Sequence, residues 1–245
     1  MGPADTWDAM RAWLQGVAAT LGATPRGIVV VSAHWESDNV LVTSNSSPRL
    51  LYDYYGFPEH TYDIKYPAPG SPGLAEKISE LLRSAGIASE KDVERGLDHG
   101  VFIPLKLMFP SAQVPVVQLS LHGSLDPMLH LEMGRAIQDL RDQGILILGS
   151  GMSYHNMNEL MSGKAVVPDS DTFDHWLYET CKLDPTQRDE CLKNWAQAPA
   201  ARGAHPREEH LLPLMVAAGA ASDGACERVF SGRVMGSTVA GYRFD

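Results

Sequence analysis

The chain has 245 residues and a mass of 26.7 kDa, with 44% hydrophobic and 20% charged residues. These proportions fit a folded globular domain and exclude a disordered chain, a collagen-like fibre and a coiled coil. A net charge of -10 leaves no dense basic face for duplex nucleic acid, and no apolar run reaches the ~18 residues of a membrane span.

The N-terminal stretch places Trp7, Met10, Trp13, Leu14 and Val17 at helical spacing, so the chain opens in an amphipathic helix. It carries no basic segment followed by an apolar one, the mark of a secretory leader. Cys181, Cys191 and Cys226 are odd in number and lack zinc-ligand spacing. They read as reduced thiols, and a cytoplasmic protein is the expectation.

GIVVVSAHW, residues 27–35, is a continuous apolar run of the kind buried on both faces of an α/β sheet. Functional groups in such folds gather at the carboxyl ends of strands, where Ser32, His34 and Glu36 wait. VLVTS at 40–44 reads as a second strand. Residues 45–73 are rich in Asn, Ser, Pro, Gly and Tyr and form a long irregular loop, a functional signal in a compact domain. A helix is expected at 73–85, with Leu74, Ile78, Leu81 and Leu82 on one face. His99 then sits between turn signals and an apolar segment. Strands at 115–122 and 145–151 flank a helix at 127–143 that holds His130, Glu132 and Arg135.

Residues 157–203 are more polar, with short helices expected at 171–183 and 186–198. Another helix is expected from 205 to 221, with Pro206 in its first turn and Glu208 and Glu209 at its positive end. Pro213 kinks it or marks a second start. The tail supplies one or two closing strands. Strands and helices alternate, so the expected fold is a single α/β domain over 1–245: a mostly parallel or mixed central sheet with helices on both faces.

No GxGxxG or GxxxxGK[ST] motif is present. GSGMS at 149–153 resembles a nucleophile elbow loosely, because Ser150 stands directly between two glycines. The nine histidines say more. His34, His99, His122 and His155 lie at strand ends or tight turns, and His205 and His210 flank a helix start. Imidazoles that converge at one end of a sheet suit a borderline transition metal. Singly, each has an ordinary structural reading, as do His60, His130 and His175. His122 is the weakest of the strand-end set. His205 and His210 are five apart and do not share a helix face, so one of them is expected in the cleft.

Six ordered blocks carry a resemblance: VVVSAHWE, YDYYGFPEHTYDIKYPAPGSP, GLDHGVFIPLKLMFP, PVVQLSL, GSGMSYHNM and HPREEHLLPLMVAAGAA. Together they resemble the DODA-type branch of the class III (LigB-like) extradiol ring-cleavage dioxygenases, whose plant members act on 4,5-dihydroxyphenylalanine. The resemblance implies a non-haem metal-dependent dioxygenase that opens a catechol ring with O2. It implies His34 and His210 as metal ligands, His210 standing where other LigB-like enzymes have a glutamate. It implies His155 as general acid/base, His99 as a second pocket histidine, and Tyr52 and Tyr55 with the loop through Gly70 as the substrate entrance. Fe(II) is the implied cofactor for activity, and Zn(II) a redox-silent ion for the same imidazoles. The implied partners are a small catechol and O2, not nucleic acid or membrane.

The family pattern begins with a strand ending in His-Gly that supplies a further ligand, and no histidine precedes His34 here. The chain is thus expected to be N-terminally shortened relative to the family, or a natural variant with a reduced metal site. His205, Glu36 and Asp98 are the candidates for the vacancy. Two further readings stand beside the enzyme: a scaffold protein with a vestigial pocket, and a zinc hydrolase with Glu36 or Glu209 as base.

Overall fold

The computed structural model describes residues 5–221 and 225–244. Helix α1 (Asp8–Thr20) leads into the long strand β1 (Gly27–Ser37) and the short β2 (Val40–Thr43). After the loop come α2 (Pro72–Ser84), β3 (Ser89–Asp92), α3 (His99–Met108), β4 (Val116–His122), α4 (Pro127–Ile137) and β5 (Ile145–Ser150). The polar region forms α5 (Met157–Leu160), α6 (Pro168–Cys181), α7 (Pro185–Lys193) and α8 (Ala201–Ala204). Helix α9 (Leu212–Ala220) and the hairpin β6 (Cys226–Val234) and β7 (Ser237–Phe244) close the chain.

The main sheet has the order β3-β2-β4-β1-β5. β1 runs parallel to β4 and β5, and β2 runs parallel to β3 but antiparallel to β4, so the sheet is mixed. Period-two alternation along β1 builds two cores. Ile28 and Val30 face α3 and the apolar side of α1, while Val29 and Val31 face α2, α4 and α9. This is the α/β architecture expected, with helices on both faces.

Several boundaries move for stated reasons. Ser71 caps α2 by accepting from the Leu74 N–H (3.4 Å), and Pro72 suits its first turn. The helix at 127–143 relaxes into a 3-10 turn after Ile137 and ends at Gly144, which is left-handed (φ 75°). The helix expected from 205 does not start there. Residues 205–211 are turns, and α9 begins at Leu212 with Pro213 in its first turn. A proline there cannot accept a preceding helical turn, because its ring clashes and its N–H is missing. Glu208 and Glu209 therefore stabilise no helix terminus and pair with side chains instead. β3 is polar, four residues long and at the sheet edge, so no periodicity announced it. The two tail strands form a tight hairpin over Met235 (φ 51°) and Gly236 (φ 83°), the doubly left-handed turn that matches strand twist.

β5 departs from the doubly buried strand expected of ILILGS. All six of its residues are half-buried, because only β1 pairs with it among the described residues. Its outer edge faces an apolar cavity of about 1940 Å³, walled by α1, α3 and the β6–β7 hairpin. Trp13 of α1 stacks on Phe230 of the hairpin (4.9 Å between ring centres) and closes the far wall. Cys181, Cys191 and Cys226 are free thiols. Among the described residues no helix is long and apolar enough to cross a membrane.

Candidate metal centre

The site lies where β1 and β5 end. Ser32 and His34, two apart on β1, point to one face. Below them sits Asp98, fully buried at the foot of α3. It accepts from Ser32 Oγ (2.8 Å) and Arg95 (3.3 Å), and from the Gln118 amide. Its Oδ1 lies 3.9 Å from His34 Nδ1. Burial pushes the Asp98 carboxyl up, but the His34, Ser32 and Gln118 groups outweigh it and hold it below its ordinary range. Asp98 is therefore a carboxylate that backs the His34 ring. Gly100, two residues on, approaches so closely that a Cβ there would lie 2.7 Å from both His34 Nδ1 and Ser32 Oγ.

His99 opens α3, and its ring stacks on His34 (4.0 Å between centres). Its Nδ1 and its backbone N–H both donate to Asp53 Oδ1, at 2.8 and 2.9 Å. Burial raises the Asp53 carboxyl, and these bonds bring it below its ordinary range. From the opposite side comes His210, on the turn before α9. Its Nδ1 donates to Glu209 Oε1 (2.9 Å), and its Nε2 lies 3.2 Å from His34 Nε2. His155 stacks on His210 with 3.3 Å between ring centres, its Nδ1 3.4 Å from the same Glu209 oxygen. His155 and His210 together hold the Glu209 carboxyl well below the usual carboxylate range. Burial pushes His210 down to about 4, so its ring is neutral at physiological pH.

Four imidazoles thus stand in a row, His99, His34, His210 and His155, with Asp53, Asp98 and Glu209 behind them. The donor chemistry fits a metal. Carboxylates engage Nδ1 of His99 and His210, which leaves each Nε2 as a lone-pair donor. Two imidazole nitrogens ~2.0–2.1 Å from one ion stand about 3.3 Å apart at a tetrahedral angle, close to the observed 3.2 Å between His34 and His210. Among the described residues, two groups hold ligand atoms close enough for an ion: His34 with Asp53 and His99, and His155 with Glu209 and His210.

None of the candidates for a further ligand joins this row. His205 is fully buried, its Nε2 bonded to the Ser153 carbonyl (3.1 Å) and its ring set against Phe173 and Trp195. Glu36 is clamped by the Arg207 guanidinium. Asp98 lies under His34, on the Nδ1 side. His122 also stays out, bonded to Ser124 Oγ (2.8 Å). Of the expected entrance residues, Tyr52 gives its hydroxyl to the Ile64 carbonyl (2.7 Å), and Tyr55 is 91% exposed. Tyr54 is the neighbour that sequence reasoning missed. Its ring meets His99 edge-on at 5.5 Å, and the only signal for it was its place in a tyrosine-rich run. Asp53 was missed for the same reason. The apolar cavity beside β5 opens onto all four imidazoles at one end.

Comparison with known proteins settles the kinship. The family described as the catalytic LigB subunit of aromatic ring-opening dioxygenase matches residues 4–242. The chain belongs to the LigB family. Within that family it is 43% identical over 203 residues to a 4,5-DOPA dioxygenase extradiol of Beta vulgaris, covering 82% of this chain and 75% of the relative. It is 36% identical over 233 residues to dioxygenase tasH of Hapsidospora irregularis, covering 89% and 71%. An uncharacterised Escherichia coli K12 protein of known structure superposes with a TM-score of 0.80 at 32% identity, over 95% of this chain and 90% of that one. This LigB-family chain is therefore an extradiol dioxygenase of the DODA type, an oxidoreductase whose family uses O2 on a small molecule.

Proposed function

We propose that the protein opens the ring of a DOPA-like catechol, with His34 and His210 holding the metal and His155 moving the proton. The observation that carries this is the convergence of His34 and His210 through their Nε2 atoms at 3.2 Å, with His99 and His155 stacked on either flank. Fe(II), when bound, supplies a redox-active centre with open positions at which an electron-rich ring and O2 meet. The residues of the chain do the rest. Glu209 holds the His210 ring through its Nδ1, and the Asp98 carboxylate lies 3.9 Å from His34 Nδ1. His155, whose Nδ1 faces Glu209, takes a phenolic proton at Nε2 and returns one as the ring opens. His99, pinned by Asp53, holds substrate beside His34. Cleavage next to the two hydroxyls yields a muconic semialdehyde.

A third ligand completes the set in this reading. The family pattern puts it on a strand ending in His-Gly, and in this reading that strand lies along the outer edge of β5, which no described residue pairs. A zinc hydrolase is disfavoured, since Glu36 is clamped by Arg207 and Glu209 is held by two imidazoles, so neither is free to act as base.

The test is elemental analysis after anaerobic Fe(II) loading, with catechol-dependent O2 uptake alongside. His34→Ala and His210→Ala should each lose the metal, and His155→Ala should keep it and lose turnover. Unchanged metal in both ligand variants refutes the ligand assignment, and undiminished O2 uptake by His155→Ala removes that residue from the chemistry. A longer chain that begins with a His-Gly strand should bind metal more tightly than this one, and equal affinity refutes the third-ligand assignment.

A further inference from the structure

His155 lies on a segment with no regular secondary structure, between the end of β5 and the start of α5. Something other than a helix or ladder must set its ring against His210. The segment is tied at four points to α8 and the turn that carries His210. Met152 N–H donates to the His210 carbonyl (3.0 Å), and His155 N–H donates to the Ala204 carbonyl (3.0 Å). The Asn156 amide donates to the Gly203 carbonyl (2.8 Å). The fourth tie comes from the other side: the His205 side chain, whose Nε2–H donates to the Ser153 carbonyl (3.1 Å).

The fourth tie is the odd one. His205 is fully buried, with Phe173 and Trp195 meeting its ring at 5.3 and 5.9 Å between centres. Its Nδ1 is buried with no hydrogen-bond partner. A carbonyl can only accept, so the proton is on Nε2 and the orphan Nδ1 is a bare acceptor. Leaving it unpaired costs free energy. A phenyl ring would fill the same aromatic nest with no orphan atom. Packing therefore gives no reason for an imidazole here, and the bond to Ser153 does. A residue that costs stability and anchors a neighbour of the site has the pattern of a positioning group.

We infer that His205 is a positioning residue for His155. Its ring holds the Ser153 carbonyl and so fixes the 151–156 segment where His155 stacks on His210 and shares Glu209. This deepens the proposal for His155 and rests on it for its catalytic consequence. The placement of His155 is a separate matter that can be measured without turnover.

The experiment compares His205→Phe, His205→Gln and the unchanged chain. Gln sets an amide nitrogen about where the imidazole Nε2 lies. The first readout is the carbethoxylation rate of His155 in metal-free protein, followed by peptide mass spectrometry. The second is kcat against KM for catechol-dependent O2 uptake, with metal content and Tm recorded. The Phe variant should keep its Tm and metal while the His155 modification rate changes at least threefold. Its kcat should fall at least tenfold at nearly constant KM, and Gln should restore both. An unchanged His155 rate in the Phe variant overturns the inference, as does a fall in Tm and metal that Gln does not repair. A changed rate with undiminished kcat keeps His205 as an anchor and instead removes His155 from the chemistry.

Discussion

Gly100→Ala tests the metal centre without replacing any proposed ligand. A methyl group at this position would meet His34 Nδ1 and Ser32 Oγ at 2.7 Å, where ordinary contact starts at 3.4 Å. Both contacts must therefore open by about 0.7 Å, by movement of the side chains or of α3. Ser32 is held by Asp98, and Asp98 by Gln118 and Arg95, whereas His34 Nδ1 has no hydrogen-bond partner, so the His34 ring takes the larger share of the movement. Overpacking of this kind costs about 1–3 kcal/mol, and alanine returns about 1 kcal/mol as the better helix former in α3. The net stability change is then small, about 0–2 kcal/mol destabilising. The metal site should suffer more, because disturbing the groups that orient a ligand ring typically costs about 10–100-fold in affinity. The assay is a competitive metal titration of the variant against the unchanged chain, with urea unfolding as the stability check. Gly16→Ala in α1, where an added Cβ meets nothing within 4 Å, is the control. An alanine at 100 that binds metal as tightly as glycine refutes the account of His34 as a ligand wedged between α3 and β1.

Acid should unfold the protein through its neutral buried histidines. Burial pushes His130 and His205 down to about 4, against about 6.5 in an unfolded chain. Between those values the unfolded state binds more protons, so stability present above pH 6.5 is lost as pH falls toward 4, by up to roughly 3 kcal/mol per ring. Urea midpoints across that range should drop for the unchanged chain and drop less for His205→Phe, and parallel curves refute the assignment. Asp184 caps α7 by accepting from Thr186 N–H (3.1 Å) and Gln187 N–H (3.2 Å). Asp184→Ala should cost about 1 kcal/mol, read as a Tm lowered by about 2–4 °C, and an unchanged Tm speaks against the cap. Trp13→Ala removes the ring that joins α1 to the hairpin across the cavity. It should raise hydrogen exchange in 8–20 and leave β1 and β4 unaffected, and equal exchange in α1 would show that the contact does not hold the helix.

Much of the sheet was legible because burial writes itself into composition. The runs that became β1 and β4 are rich in Val, Ile and Leu and buried over most of their length, as strands covered on both faces must be. His34 and His155 were legible too, since polar residues right after such runs fall at one edge of the sheet. The 205–221 region was read less well. Pro206 looked like a helix start, but the proline that starts α9 is Pro213, and only the packing of 205–211 against 151–156 decides between them. The carboxylates behind the imidazoles were harder still. Glu209 stands next to His210 in the chain, but Asp53 lies 46 positions before His99 and Asp98 lies 64 after His34, and nothing in spacing pairs those two with their imidazoles. β5 misled in the other direction, for its composition gives no sign that among the described residues only β1 pairs with it.

His34 and His210 are 176 positions apart, and an ion held by both staples the first core strand to the last helix turn. Only the folded chain brings these donors together, so binding is linked to folding and must raise the melting temperature. At a hundred times its dissociation constant an ion adds about 2.7 kcal/mol. A plain thermal melt thus ranks divalent cations by affinity, with no substrate and no oxygen in the cuvette.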